Sequence, residues 1–387
     1  MSDAGPSLFD VVPITISCGW ETLGPLGIIT TGIAVRQIDR WHHSPLRAPR
    51  QPRTLQEIMS LQRSRANDIT PALLLVGHWV EILGWWFLTV HAGPLGWVAG
   101  ALVMAVKFRH LQEVGHFAVH GVLTRTKAAG AVLTEVAVHA PLGFVTVSAR
   151  RDKHVRRHHP NATVSGVDPN LAELHGAGLR PEVGLARFAL ALIFPLTPRG
   201  IAETGRGLAT GLRQQAHTSW SRPVVFAVVP VTALLIGWPT LVFGLAVPRL
   251  LLYPQLAWMS LLVEHCWFDA APARRPATVK AIEATRCMRL YPRNPLLALV
   301  ARTTWLPYGD LFHYAHSVHP AVRWNYLPVL ERILGRPTCT PSGVLVGVRA
   351  VIPRHRRALR RRPTAPSRAG QEPAFLTVAR QEHKSAE

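Results

Sequence analysis

Leu95-Gly-Trp-Val-Ala-Gly-Ala-Leu-Val-Met-Ala-Val106 runs without a break into Lys107-Phe-Arg-His110-Leu-Gln-Glu113-Val-Gly-His116-Phe-Ala-Val-His120. An apolar run that continues into a basic, histidine-bearing segment reads as a membrane helix emerging on a positively charged side. His116 and His120 are four apart and share a helix face, a spacing that lets two imidazoles reach one metal region. Upstream, Thr70-Pro71 has the hydroxyl and following proline of a helix start. Residues 72 to 90 continue it for about 20 residues, or roughly 30 Å of helix, enough to cross a bilayer. His78 and Glu81 lie inside this run, and their insertion cost of about 2.5 to 3.5 kcal/mol each directs them to the protein interior.

Working outward, His91-Ala-Gly-Pro94 turns the chain with no Lys or Arg. Residues 223 to 237 and 241 to 262 form a second apolar pair across the equally uncharged Trp238-Pro239-Thr240. Apart from Arg249, inside the last apolar run, the basic residues fall before Pro71, from Lys107 to Arg222, and from Arg274 on. By the positive-inside rule both termini and the histidine-rich middle are therefore cytoplasmic. The expected fold is an all-α integral membrane protein with about four transmembrane helices and a cytoplasmic helical cap carrying a His-rich two-metal site. Residues 1–69 are read as an N-terminal cytoplasmic segment, 70–330 as the membrane domain, and 331–387 as a basic, partly disordered cytoplasmic tail.

Smaller features fill in this outline. Gly19, Gly24, Pro25, Gly27 and Gly32 break up the apolar pieces near the start, and no signal peptide is expected there. His42 and His43 lie in a polar, basic segment and read as surface residues. Residues 128 to 147 contain Glu135, His139 and Pro141 and link two basic segments, so an interfacial or re-entrant helix is expected.

Net charge is +21 over 387 residues, of which 48% are hydrophobic. So basic a chain invites a nucleic-acid reading, but the positive residues flank apolar runs, and no nucleic-acid partner is expected. The block from Arg354 to Arg362 instead suits anionic membrane lipids. The bias toward arginine fits a GC-rich bacterial genome, making the bacterial cytoplasmic membrane the expected location. Four scattered cysteines offer no C-x-x-C pair.

The centre of the chain is His154-Val-Arg-Arg-His158-His159. On an α-helix His154 and His158 share a face, while His159 points about 100° away from His158. Two adjacent histidines aimed apart suit two metal ions better than one. Further histidines, His265 and His313-Tyr-Ala-His316, follow at the cytoplasmic side of the apolar runs. With His116, His120, His154, His158 and His159, they make about twice the ligand set of a tetrahedral zinc. Imidazole suits iron as well as zinc and copper, so a two-metal centre with open positions for oxygen is the natural inference.

This pattern resembles the membrane fatty acid desaturase family and its three histidine boxes. His116 to His120 is similar to the first box, His154 to His159 to the second, and His313-Tyr-Ala-His316-Ser-Val-His319-Pro320, with Leu327-Pro328 beyond it, to the third. Asp168-Pro169 and Glu264-His265 match family habits, and the resemblance covers about residues 70 to 330. It departs at Ser317, where the third box normally has a second adjacent histidine; the missing ligand is either absent or supplied by His319 or His110. Glu113, Asp152, Asp168 and Glu264 are read as carboxylates that hold ligand imidazoles in one tautomer, Glu264 alternatively as a plain interfacial carboxylate.

The resemblance implies two iron ions, O2 as co-substrate, and hydrogen abstraction from an alkyl chain of a lipid or acyl substrate. Electrons would come from an external donor, a ferredoxin or similar protein with its reductase, because the chain carries neither a haem nor a flavin signature. The basic face would suit an acidic donor. Desaturation leads; a hydroxylase or ketolase acting on a carotenoid or specialised metabolite is the alternative, and a non-catalytic metal-binding scaffold the third reading.

Overall fold

A computed structural model describes residues 20–44, 52–270, 278–347 and 349–360. Among these residues the chain is helical, with no strand and only two isolated bridges, His265 to Cys287 and Met288 to Cys339. Two helices are long and apolar enough to cross a membrane, Ala66–His91 and Thr240–Glu264. Lys127–Leu142 and Val147–Asn161 form a third candidate, bent by 95° at the break, which is either a broken span or the expected re-entrant segment. The expected count of four goes beyond this. Ser221–Ile236 has only 16 residues, and Gly93–Val119, though one continuous helix of 27 residues, is uniformly apolar only until Lys107.

The Ala66–His91 helix starts before Thr70-Pro71, and Pro71 lies inside it. Ser64 makes the start instead: its hydroxyl accepts from Ala66 N at 3.3 Å and its carbonyl from Asn67 N at 3.0 Å. The Thr70 hydroxyl is used elsewhere, 2.9 Å from His43 Nε2.

The early glycines do not break the chain: Trp20–His42 is one helix, with Pro25 inside it. It packs along Ala66–His91 at very short range. A Cβ on Gly32 would stand 2.6 Å from the backbone nitrogen of Glu81, and one on Gly77 the same distance from that of Arg36. Small residues let two helix backbones approach this closely. Glu81 then pairs with Arg36 across the contact and with Lys107 from the next helix, while His78 meets the Tyr308 hydroxyl. His43 is not on the surface as expected. It is buried, with its Nδ1 3.1 Å from the Tyr326 hydroxyl.

The main core gathers Phe108, Leu111 and Phe117 of Gly93–Val119 with Trp324, Leu327 and Leu330 from the C-terminal part. A second cluster seats Ile352 and Leu359 of the Val351–Arg360 helix against Trp258, Leu262 and Trp267. In the arginine-rich block, Arg354 donates to Asp269 at 3.0 Å. Arg361, Arg362 and the expected disordered tail lie outside the described residues, as do Gly19 and the start of the chain.

Candidate metal centre

The local backbone at the second box is wider than an α-helix. Asp152–His158 is a π-helix, closed by a bond from His159 N to His154 O, five residues apart. The next residue, Pro160, has no N–H to give to a helical ladder. The expected sharing of a face by His154 and His158 is therefore corrected: His154 pairs with His159, their Nε2 atoms 3.1 Å apart. His158 turns the other way, as the expectation of divergent neighbours requires.

That divergence sorts the histidines into two groups whose ligand atoms lie within 4.8 Å of one another in each. One comprises His116, His120, His154, His159 and His316; the other comprises His158, Glu264, His265 and His313. All eight expected imidazoles are thus brought together. His116 Nε2 faces His120 Nε2 at 2.9 Å, and His265 Nε2 faces His313 Nε2 at 3.0 Å.

Carboxylates fix two of the rings. His116 donates from Nδ1 to Glu113 at 2.9 Å, and His158 donates from Nδ1 to Asp168 at 2.9 Å. Each then presents an Nε2 lone pair to its group. Glu113 is itself held by Arg109 at 3.1 Å, and Arg109 also binds Ser260 at 2.9 Å and pairs with Asp310. Asp168 accepts from the backbone of Thr163 and Asn170 as well, both at 2.9 Å, which ties the turn after the second box to His158.

Burial acts on the charge of the rings. It keeps His120, His265 and His316 neutral well below the ordinary histidine range, reinforced by neighbouring imidazoles. His313 is drawn down to about 3, again chiefly by burial. Neutral imidazoles are the form that ligates metal.

These donors fit metal ions. His158 Nε2 and both ring nitrogens of His316 are buried without a hydrogen-bond partner among the described residues, a costly arrangement for polar atoms unless a cation takes the lone pairs. Paired Nε2 atoms converging on shared points make the same demand.

Other expected site residues lie differently. Glu264 belongs to the second group as a possible oxygen donor, not as a carboxylate that orients a ring. Asp152 holds no ligand ring among the described residues; it is half-buried and pairs with Arg156 at 3.5 Å and Arg157 at 3.3 Å. His110 and His319 belong to neither group. His110 is buried beside His78 and Tyr308, with ring centroids 5.5 and 5.7 Å away. At the departure from the third box, the Ser317 hydroxyl stands 3.3 Å from His313 Nε2.

Sequence reading missed Arg286 and Cys287. Arg286 donates to the carbonyl of His159 at 2.8 Å and of Ala162 at 3.1 Å, holding the end of the second box in place. The Cys287 thiol lies 3.6 Å from His265 Nδ1. Neither sits in a recognisable motif, so only the fold could have found them.

Comparison with known proteins agrees with this geometry. The family model described as Fatty acid desaturase matches residues 92–350, spanning all three boxes. No curated protein and no solved structure matches the chain. The match covers well over half of the chain, and the chain belongs to the fatty acid desaturase family of membrane oxidoreductases.

Proposed function

We propose that the two groups hold two iron ions and that the protein introduces a double bond into a fatty acyl or lipid-like chain at the expense of O2. The observation that carries this reading is the opposed placement of His158 and His159, which gives two adjacent ligand sets from one turn of chain. Irons bound there would supply the oxidising power that side chains lack, using O2 and electrons from an external donor such as a ferredoxin with its reductase.

The chain's own part is positioning. Glu113 and Asp168 retain the Nδ1 protons of His116 and His158, so that the Nε2 atoms remain donors. Arg109 holds Glu113 in place. Arg286 anchors the backbone of His159. Four passes through the bacterial cytoplasmic membrane, with the boxes and both termini on the cytoplasmic side, complete the reading.

Purified protein expressed with ample iron tests it. Close to two irons per chain, and an unsaturated product from an acyl-lipid, acyl-CoA or acyl-carrier substrate given O2 and an electron donor, are expected. Zinc alone, or no metal in a folded protein, would overturn the iron reading in favour of a scaffold. Product that retains oxygen from labelled O2 would identify the hydroxylase alternative, which the same ligand set equally supports.

A further inference from the structure

A cavity of about 990 Å3 opens beside the metal centre, with His116, His154 and Glu264 in its wall. It is large enough for a small-molecule substrate, since such sites run to about 300–1,000 Å3. Most charges that line it are matched. Glu113 is held by Arg109 and His116, Asp152 by Arg156 and Arg157, and Glu173 by Lys153. Glu264 belongs to the second ligand group.

Besides the exposed Arg199, two lining arginines from different helices are not matched, Arg150 and Arg249. Neither forms an ion pair among the described residues, and both are only partly accessible. Arg150 Nη1 donates to the Gln112 carbonyl at 3.5 Å, its one hydrogen bond among the described residues. Arg249 donates from Nε to the Leu142 carbonyl at 2.8 Å, and its guanidinium rests on the rings of Phe144, at 4.9 Å, and Tyr253, at 5.5 Å. Tyr253 stands within electrostatic reach of both guanidinium groups. Phe194 and Trp258 give the same cavity an apolar side.

Two guanidinium groups with no ion-paired carboxylate among the described residues, Arg150 feeling Glu113 and Glu264 only at longer range, in a partly dry cavity, make a site for an anion, and their planar forks match a carboxylate or a phosphate. We propose that Arg150 and Arg249 bind the anionic group of an amphiphilic substrate, a carboxylate or a phosphate, whose apolar part lies along Phe194 and Trp258 beside the histidines. A neutral glyceride chain offers these two cations nothing. This narrows the substrate class of the oxidoreductase proposed above and rests on that reading.

Binding tests it without turnover. The full-length protein in lipid nanodiscs is titrated calorimetrically with octanoate, octyl phosphate and the neutral octanamide, with empty nanodiscs subtracted. At least one anion should bind tenfold or more tighter than octanamide, and the stronger of the two identifies carboxylate or phosphate. In the double variant Arg150→Gln/Arg249→Gln the preference should vanish while octanamide binding persists. If that variant does not accumulate, Arg150→Lys/Arg249→Lys takes its place, and the preference should fall at least threefold because the forks are gone. Equal affinity for acid and amide, no binding of any probe, or an unchanged preference in the variants would overturn the proposal. Iron measured on the same samples reports separately on the oxidoreductase reading: a full metal complement with no anion preference fails only the anion site.

Discussion

The two ligand groups adjoin each other yet are built differently. The first has five imidazoles and no carboxylate; the second has three imidazoles and Glu264. The difference falls where the third histidine box departs from its family pattern, since Ser317 approaches His313, a member of the second group. Where the box looks one ligand short in sequence, a carboxylate from the end of a different helix, Glu264, stands among the candidate donors in space. This comparison can be broken in several places.

The largest effects belong to the adjacent pair. His158→Ala and His159→Ala should each abolish turnover, but they should deplete different groups, so each variant should keep roughly one of the two irons. Metal analysis combined with Mössbauer spectra would show two distinct residual sites. Identical residual spectra would mean that the groups are not separate. Next, Glu264→Gln, which replaces the half-buried carboxylate of the second group, should lower iron in that group alone and reduce turnover about 100-fold, the upper end of what losing a metal-site partner costs. A Gln variant with full iron and full activity would reduce Glu264 to a bystander.

Smaller losses should follow from the carboxylates behind the rings. Asp168→Asn and Glu113→Gln leave every ligand in place but loosen a tautomer, for which about 10–100-fold in metal affinity or activity is usual. Asp168→Asn should weaken the second group and Glu113→Gln the first, read out by competition with a chelator. The distant contact between the first helix and Ala66–His91 offers a control. Gly32→Ala would force a Cβ against the Glu81 backbone and should cost about 1–3 kcal/mol of stability through overpacking. Specific activity per bound iron should be unchanged, as should the distribution of metal between the groups.

How far these features could be read from sequence differs from residue to residue. His116 and His120 are legible because helical spacing places them on one face, and all eight imidazoles of the two groups stand out in the sequence. The pairing of His154 with His159 was not legible, because a π-helical turn leaves no periodic signature in a stretch this short. Gly32 misleads in another way: glycine signals a break in an isolated chain, whereas here it marks, with Gly77, a close approach of two helices. Glu264 was placed near the metal, but its role could not be read, since one carboxylate beside one histidine has the same sequence whether it ligates or supports. The burial of His43 depended on Tyr326, which lies nearly 300 positions away, a contact no local pattern encodes.

Ser317 gives the smallest expected effect and sharpens the comparison most. If its hydroxyl replaces the family's missing imidazole as a ligand, Ser317→Ala should cost as much as losing a histidine. If Glu264 has taken over that duty, the hydroxyl is only a neighbour of His313 Nε2 at 3.3 Å and of the Cys287 thiol. Ser317→Ala should then retain two irons and lose no more than about threefold in turnover, or roughly 0.6 kcal/mol at the barrier. The reverse change, Ser317→His, would restore the family pattern in sequence but not in function. Ser317 is buried, 6% exposed, so an added imidazole has no room without displacing His313 or Cys287. Ser317→His should therefore be less active than Ser317→Ala, and the double variant Ser317→His/Glu264→Gln should recover none of the second group's iron. Recovery in that double variant would show that the carboxylate and the absent histidine are interchangeable, and that the asymmetry between the groups is one of residue type alone.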